Sequence, residues 1–433
     1  MTQDLPVVVV GAGPVGLAAA AELSERGLPV RVLERGEHAG SAVQEWDHVR
    51  LFSRWAELTA PAARRLLEPT GWACPDPDDY PTGGEWVREY VRPLAQALGE
   101  RVSYGAQVVG VARRGRDRVV DAGRESEPLT VHVRPGDGTQ ERLAARAVID
   151  ASGTWSAPNP LGGDGLPALG ETDEAAAGRI GYRIPDLTDP RQRRRFAGRH
   201  VVVAGSGHSA LTALVALDEV AREAPETRVT WLLRRGTVGD TFGGGDADQL
   251  AARGALGLRA KAAVAQGRIT VVTGFRTEAV EPAGETLVLT SLDGRKVDDV
   301  DQVLVLAGFR PDLSWLSEVR LDLDPTLQAP AALAPLIDPN VHSCGTVYPH
   351  GVKELQHPEP GVFLAGMKSY GRAPTFLAMT GYEQVRSIAA ALAGDRAAAE
   401  RVELTLPETG VCGGSGLFDD AGGIRRRRLA SPG

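Results

Sequence analysis

Residues 6–34 leave few folds open to this chain. Pro6-Val7-Val8-Val9-Val10 is apolar throughout, as a parallel strand buried on both faces must be, and it runs straight into Gly11-Ala12-Gly13-Pro14-Val15-Gly16. Leu17-Ala18-Ala19-Ala20-Ala21-Glu22-Leu23 then favours helix up to a stop near Gly27, and Pro29-Val30-Arg31-Val32-Leu33 is a second apolar strand ending at Glu34. Strand, Gly-x-Gly-x-x-Gly, helix, strand and acid in that order form a dinucleotide cradle. Gly11 permits the tight turn, Gly13 lets the backbone approach a pyrophosphate, and Gly16 lets helix and strand pack closely. Pro14 suits the first helical position, and the helix N-terminus offers free N–H groups to phosphate. Glu34 can accept from a ribose diol, with Arg35 beside it among the expected cofactor contacts.

The pattern returns downstream. Arg199 to Ala204 leads into Gly205-Ser206-Gly207-His208-Ser209-Ala210, with a helix expected over Leu211 to Arg222 and a strand over Arg228 to Leu233. Here the strand ends in Arg234-Arg235 instead of an acid. Two arginines suit a 2′-phosphate and leave no acceptor for a free diol, which favours NADPH over NADH. The bland alternative is a pair of exposed arginines at a strand end, and His208 reads first as a turn or packing residue. Two cradles imply two dinucleotides: FAD at Glu34 and NADPH at the arginines, with hydride passing between cofactors that carry the chemistry themselves.

Composition narrows the class. The formal net charge of −8 disfavours a nucleic-acid binder. The basic run Arg425-Arg426-Arg427-Arg428 reads as a solvated end. No apolar stretch is long enough to span a bilayer and no signal peptide is visible, so a cytoplasmic location is the expectation. Cys74, Cys344 and Cys412 form neither a CxxC nor a metal-ligand spacing, so no metal is expected.

With both cradles in view, the chain resembles the two-dinucleotide-binding flavoprotein superfamily, which holds flavin monooxygenases and thioredoxin-reductase-like enzymes. Ala147 to Asn159, containing Ala151-Ser152-Gly153-Thr154, is similar to the segment where that family leaves its FAD domain. Gln302 to Asp312, containing Gly308, resembles the segment of return. The resemblance implies an α/β fold with two Rossmann-like domains, the NADPH domain inserted into a discontinuous FAD domain. The expected limits are 1–160 and 325–395 for the FAD domain, 161–324 for the NADPH domain and 396–433 for a tail. Arg191 to Arg195 and Gly162 to Gly170 read as connecting loops. Gly243-Gly244-Gly245-Asp246 reads as a flexible loop.

In relatives an apolar strand ending in Gly-Asp sets that Asp on the flavin's ribityl or pyrophosphate region. Gly361 to Gly366 resembles the strand, but Met367 stands where the Asp would be. A Met367 N–H, with Lys368, Ser369 or Arg372, is the expected substitute. A helix expected over Thr375 to Ala391 would point its N-terminus, with Thr375 and Phe376, at the flavin.

Two activities compete. Trp46-Asp47-His48-Val49-Arg50-Leu51-Phe52-Ser53 resembles the flavin-lining stretch of flavin-containing monooxygenases, and Tyr80 to Trp86 resembles the segment after it. The resemblance makes Trp46, Val49 and Arg50 cofactor contacts and His48, Arg50 and Ser53 the catalytic candidates, although Trp46 and Phe52 could equally be core residues. It implies oxygenation of a small molecule with O2 through a C4a-(hydro)peroxyflavin, in a protein that could be a homodimer. The Phe-x-Gly-x-x-x-His fingerprint of that class is not intact; Phe196-Ala197-Gly198-Arg199-His200 has the wrong spacing. The alternatives are a reductase of a disulfide or partner redox protein, for which Cys412 on a glycine-rich tail is the feature, and a non-catalytic flavin sensor.

Overall fold

The computed structural model describes residues 4–248, 250–340, 349–374 and 376–404. Cys344, Thr375, Cys412 and the basic run at 425–428 lie outside the described residues.

The chain opens with β1 (Val7–Val10), α1 (Pro14–Glu25), β2 (Val30–Leu33) and β3 (Val102–Ser103). An antiparallel meander follows, β4 (Gln107–Arg113), β5 (Leu129–Arg134) and β6 (Glu141–Ala145), and then β7 (Ala147–Asp150). A second series holds β8 (Ile180–Gly181), α2 (Pro190–Phe196), β9 (His200–Ala204), α3 (His208–Glu223), β10 (Arg228–Leu232) and β11 (Ile269–Val272). It closes with a meander, β12 (Thr277–Ala283), β13 (Thr286–Ser291) and β14 (Lys296–Val300), and with β15 (Gln302–Val305). Finally β16 (Val362–Leu364) and α4 (Ala378–Leu392) return to the first series.

Two five-stranded sheets result, ordered β16-β7-β1-β2-β3 and β11-β10-β9-β15-β8, with every pairing parallel. Each is an α/β core of Rossmann type, and in each the Gly-rich turn leaves the strand where the order reverses. That is the point at which such sheets bind ligands.

The valine runs explain the layering. Val7 and Val9 join the apolar cluster that contains Leu17 and Leu23 of α1, whereas Val8 and Val10 join the cluster built with Val111 and Val131 of the meander. Alternate side chains thus cover opposite faces of one strand, and all four are at most 7 % exposed. Burying each contributes about 1.5 kcal/mol. Val201 and Val203 against Val202 and Ala204 repeat the division in β9.

Two compact units divide the chain, one essentially 1–158 with 308–410, the other essentially 159–247 with 254–307. The first unit is discontinuous in sequence, with most of the second unit lying between its parts. Residues 308–324, assigned from sequence to the inserted domain, belong instead to the first unit, where Leu316 and Val319 pack with Val8 and Val362. A second difference lies at Arg191 to Arg195. This stretch is helical, because Asp189 accepts from Arg191 N at 2.9 Å and Pro190 occupies the first helical turn. Among the described residues no helix is long and apolar enough to cross a membrane.

Candidate active site

The first cradle is built by backbone collisions that only glycine avoids. A Cβ on Gly16 would lie 2.0 Å from Gly11 O, and one on Gly11, whose φ is +101°, would lie 2.9 Å from Ala151 O. Gly13 caps α1 and faces open space. Glu34 does more than wait for a ribose. Its Oε2 accepts from Ala12 N and its Oε1 from Gly36 N, both at 2.7 Å, so the acid fixes the cradle's shape. Each carboxylate oxygen keeps a lone pair for a diol. Arg35 is exposed. An open glycine, a helix N-terminus behind it and an adjacent acid are the fittings an adenosine diphosphate needs, and FAD fits this cradle.

The second cradle repeats the device. A Cβ on Gly205 would lie 2.2 Å from Leu306 O, and Gly207 faces open space ahead of α3. Arg235 donates to Ser206 Oγ at 3.3 Å. Arg234 is half-buried and, among the described residues, no carboxylate, hydroxyl or carbonyl partners its guanidinium. Burial, with neighbouring Arg235 adding to it, pushes its pKa down. An unpaired, partly desolvated cation at this strand end is what a 2′-phosphate would relieve. His208 opens α3, half-buried, and its carbonyl accepts from Thr212 Oγ1; Ser209 is exposed.

The stretch around Trp46 is laced to the segment after Tyr80. Gly83 N donates to Val49 O at 2.9 Å, and a Cβ on Gly83 would lie 2.6 Å from the Trp46 ring. Thr82 and Glu85 form a reciprocal cap that starts the following helix. Trp46 packs on the core of the first unit. The three catalytic candidates have different surroundings, and no hydrogen bond joins them among the described residues. His48 is half-buried, with Nδ1 3.7 Å from Asp47 Oδ1, and its Nε2 is buried without a hydrogen-bond partner among the described residues. Arg50 is exposed and donates to the Tyr80 carbonyl. Ser53 is buried.

The turn after β16 departs from expectation. Gly366, with φ +67°, stands against Val15 in the first turn of α1, and its N–H donates to Gln384 Oε1 at 2.8 Å. Met367 is exposed, but the side chains expected to replace its missing acid are engaged internally. Ser369 donates to Gly366 O and Arg372 to Gln328 Oε1, both at 2.8 Å, and Lys368 donates to Ser152 Oγ at 2.9 Å. Phe376 meets Tyr370 edge-on at 5.0 Å. Gly153 and Gly308 both hold positive φ, at +69° and +85°. Sequence reasoning missed Gln384, which also contacts Ser369 and His350. It also missed the partner of Lys368.

The family model described as pyridine nucleotide-disulphide oxidoreductase matches residues 5–357. An indole-3-pyruvate monooxygenase of Oryza sativa subsp. japonica is 33% identical over 213 residues, 49% of this chain and 44% of that protein. A ferredoxin–NADP reductase of Burkholderia vietnamiensis is 28% identical over 311 residues, 71% of this chain and 70% of that one. The chain spans about half the length of the first two curated relatives, at 44% and 54%. Among solved structures, the bacillithiol disulfide reductase of Bacillus cereus has a TM-score of 0.66 at 20% identity, covering 90% of this chain and 99% of its own. A flavin-containing monooxygenase of Stenotrophomonas maltophilia has a TM-score of 0.55 at 22% identity, covering 90% and 98%. These two likenesses share the fold and carry opposite chemistries.

Proposed function

Since this chain belongs to the pyridine nucleotide-disulphide oxidoreductase family and takes FAD and NADPH as its cofactors, we propose that it is an NADPH-dependent flavin monooxygenase acting on a small molecule with O2. The observation that carries the reading is His48 Nε2, a buried imidazole nitrogen with no hydrogen-bond partner among the described residues, in the segment whose sequence resembles the flavin-lining stretch of monooxygenases. A buried polar atom left unpaired is costly unless a bound group completes it. Bound FAD would supply the chemistry of accepting hydride from NADPH and reducing oxygen. The chain's own residues do the rest. Gly11 to Gly16 seat the diphosphate, Glu34 takes the ribose, and Arg234 and Arg235 select the phosphorylated nicotinamide cofactor. Within this segment His48 Nε2 is the atom placed to hold or give a proton. The rice relative, an indole-3-pyruvate monooxygenase, supports the same direction.

The test is rapid mixing of NADPH-reduced enzyme with oxygenated buffer. A transient absorbing species before flavin reoxidation is expected, along with substrate-stimulated oxygen uptake. Immediate reoxidation to peroxide, and no product from any substrate class, would sink the proposal. A second reading has its own support: the Burkholderia reductase aligns over most of both chains. On it the enzyme reduces a partner redox protein or a disulfide. Full turnover of such a partner, lost in Cys412→Ser, would favour that reading.

A further inference from the structure

The most heavily buried lysine of the first unit stands at the edge of the FAD cradle. Lys368 is 2 % exposed and Asp150 is fully buried, with Lys368 Nζ 3.1 Å from Asp150 Oδ2. Nζ also donates to Ser152 Oγ at 2.9 Å and lies 5.3 Å from the Trp315 ring. Ser152 in turn donates to Asp150 Oδ1, from Oγ at 2.6 Å and from N at 3.0 Å. Asp150 ends β7, next to β1 in the sheet, so this carboxylate sits at the mouth of the crevice where the strand order reverses. The turn it organises is the cradle's wall: a Cβ on Gly11 would lie 2.9 Å from Ala151 O and 3.0 Å from Ser152 Cα.

A buried carboxylate beside a diphosphate site is electrostatically wrong by itself, because like charges at close range raise the free energy of the bound state. Other charged groups around the cradle include Glu34, whose carboxylate is braced by Ala12 N and Gly36 N, and Asp312 and Arg35. Hydrogen bonds from Ser314, with lesser help from Lys368 and Arg35, hold the Asp312 carboxyl below its usual range, so Asp312 adds negative charge and Arg35 offsets it.

We propose that Lys368 is a cofactor-positioning residue whose ammonium neutralises buried Asp150, so that the 150–153 turn can wall the FAD diphosphate without repelling it. The chain thereby keeps a carboxylate at this sheet edge although Met367 lacks one. The proposal stands on FAD binding and does not depend on whether the reduced flavin goes on to oxygen.

The experiment measures FAD dissociation from full-length protein by flavin fluorescence, with melting of the FAD-stripped protein alongside. Lys368→Met should weaken FAD about tenfold or more. The Asp150→Asn/Lys368→Met double variant should bind FAD within about threefold of wild type. A Lys368→Met protein that binds FAD like wild type overturns the proposal. So does a double variant as weak as Lys368→Met despite a restored melting temperature, because the pair would then serve packing alone.

Discussion

At the residue scale, Arg234 and His357 carry the sharpest expectations. Arg234 is half-buried and unpaired among the described residues at the end of β10. Arg234→Ala should raise the KM for NADPH about tenfold and leave that for NADH within about twofold, read from steady-state kinetics with both cofactors. An equal effect on both would refute the 2′-phosphate assignment. His357 is buried and accepts from Asp322 N at Nδ1, and burial lowers its pKa to about 4. The unfolded chain therefore binds this proton first as pH falls. Stability is complete above about pH 6.5 and declines as pH falls towards about 4, by up to about 1.4 kcal/mol per pH unit. Denaturant unfolding at about pH 5 and 7 should show a smaller pH slope in His357→Gln than in wild type. The glycine turns were legible from the sequence because each depends on near neighbours. Lys368 was not: its partner Ser152 lies 216 residues away, and no local pattern encodes such a pairing.

At the element scale, α1 and its turn follow directly from the sequence, and the meanders do not. Gly16→Ala would drive a methyl to within 2.0 Å of the Gly11 carbonyl, a backbone atom that cannot yield. The purified variant should carry little or no flavin, read from the ratio of visible to ultraviolet absorbance. Strands β12 to β14 escaped a sequence reading because Pro282 and the acidic Asp298-Asp299 pair interrupt their alternation; cross-strand pairing overrides that weak local preference. The first meander is tied to β16 through Glu359. Arg113 donates to its Oε1 at 2.9 and 2.7 Å, and Arg124 to its Oε2 at 3.0 and 2.6 Å, with all three side chains at most 5 % exposed. Burial alone would lift the Glu359 pKa, but the two guanidiniums overcome it and hold the carboxyl down. Glu359→Gln leaves two buried cations short of charge and should cost about 3 kcal/mol in urea unfolding. A loss below about 0.5 kcal/mol would show the cluster to be electrostatically idle.

At the scale of the whole molecule, one plan is used twice. Each unit sets a Gly-rich turn at the reversal point of a five-stranded parallel sheet and appends an antiparallel meander. The repetition was visible in the cradles, whereas the exact seams were not, because a chain crossing between units leaves no periodicity to read. The units differ in one respect with practical use. Of seven tryptophans in the sequence, Trp231 alone falls in the second unit, and its indole N–H donates to the Gly205 carbonyl at 2.7 Å. Gly205 is the first glycine of the second cradle. The ring is fully buried and meets Phe242 at 5.7 Å. The molecule therefore carries an intrinsic fluorophore wired to one nucleotide site. Subtracting the emission of a Trp231→Phe protein isolates that signal, so nucleotide occupancy can be followed optically while the flavin reports separately on its own redox state.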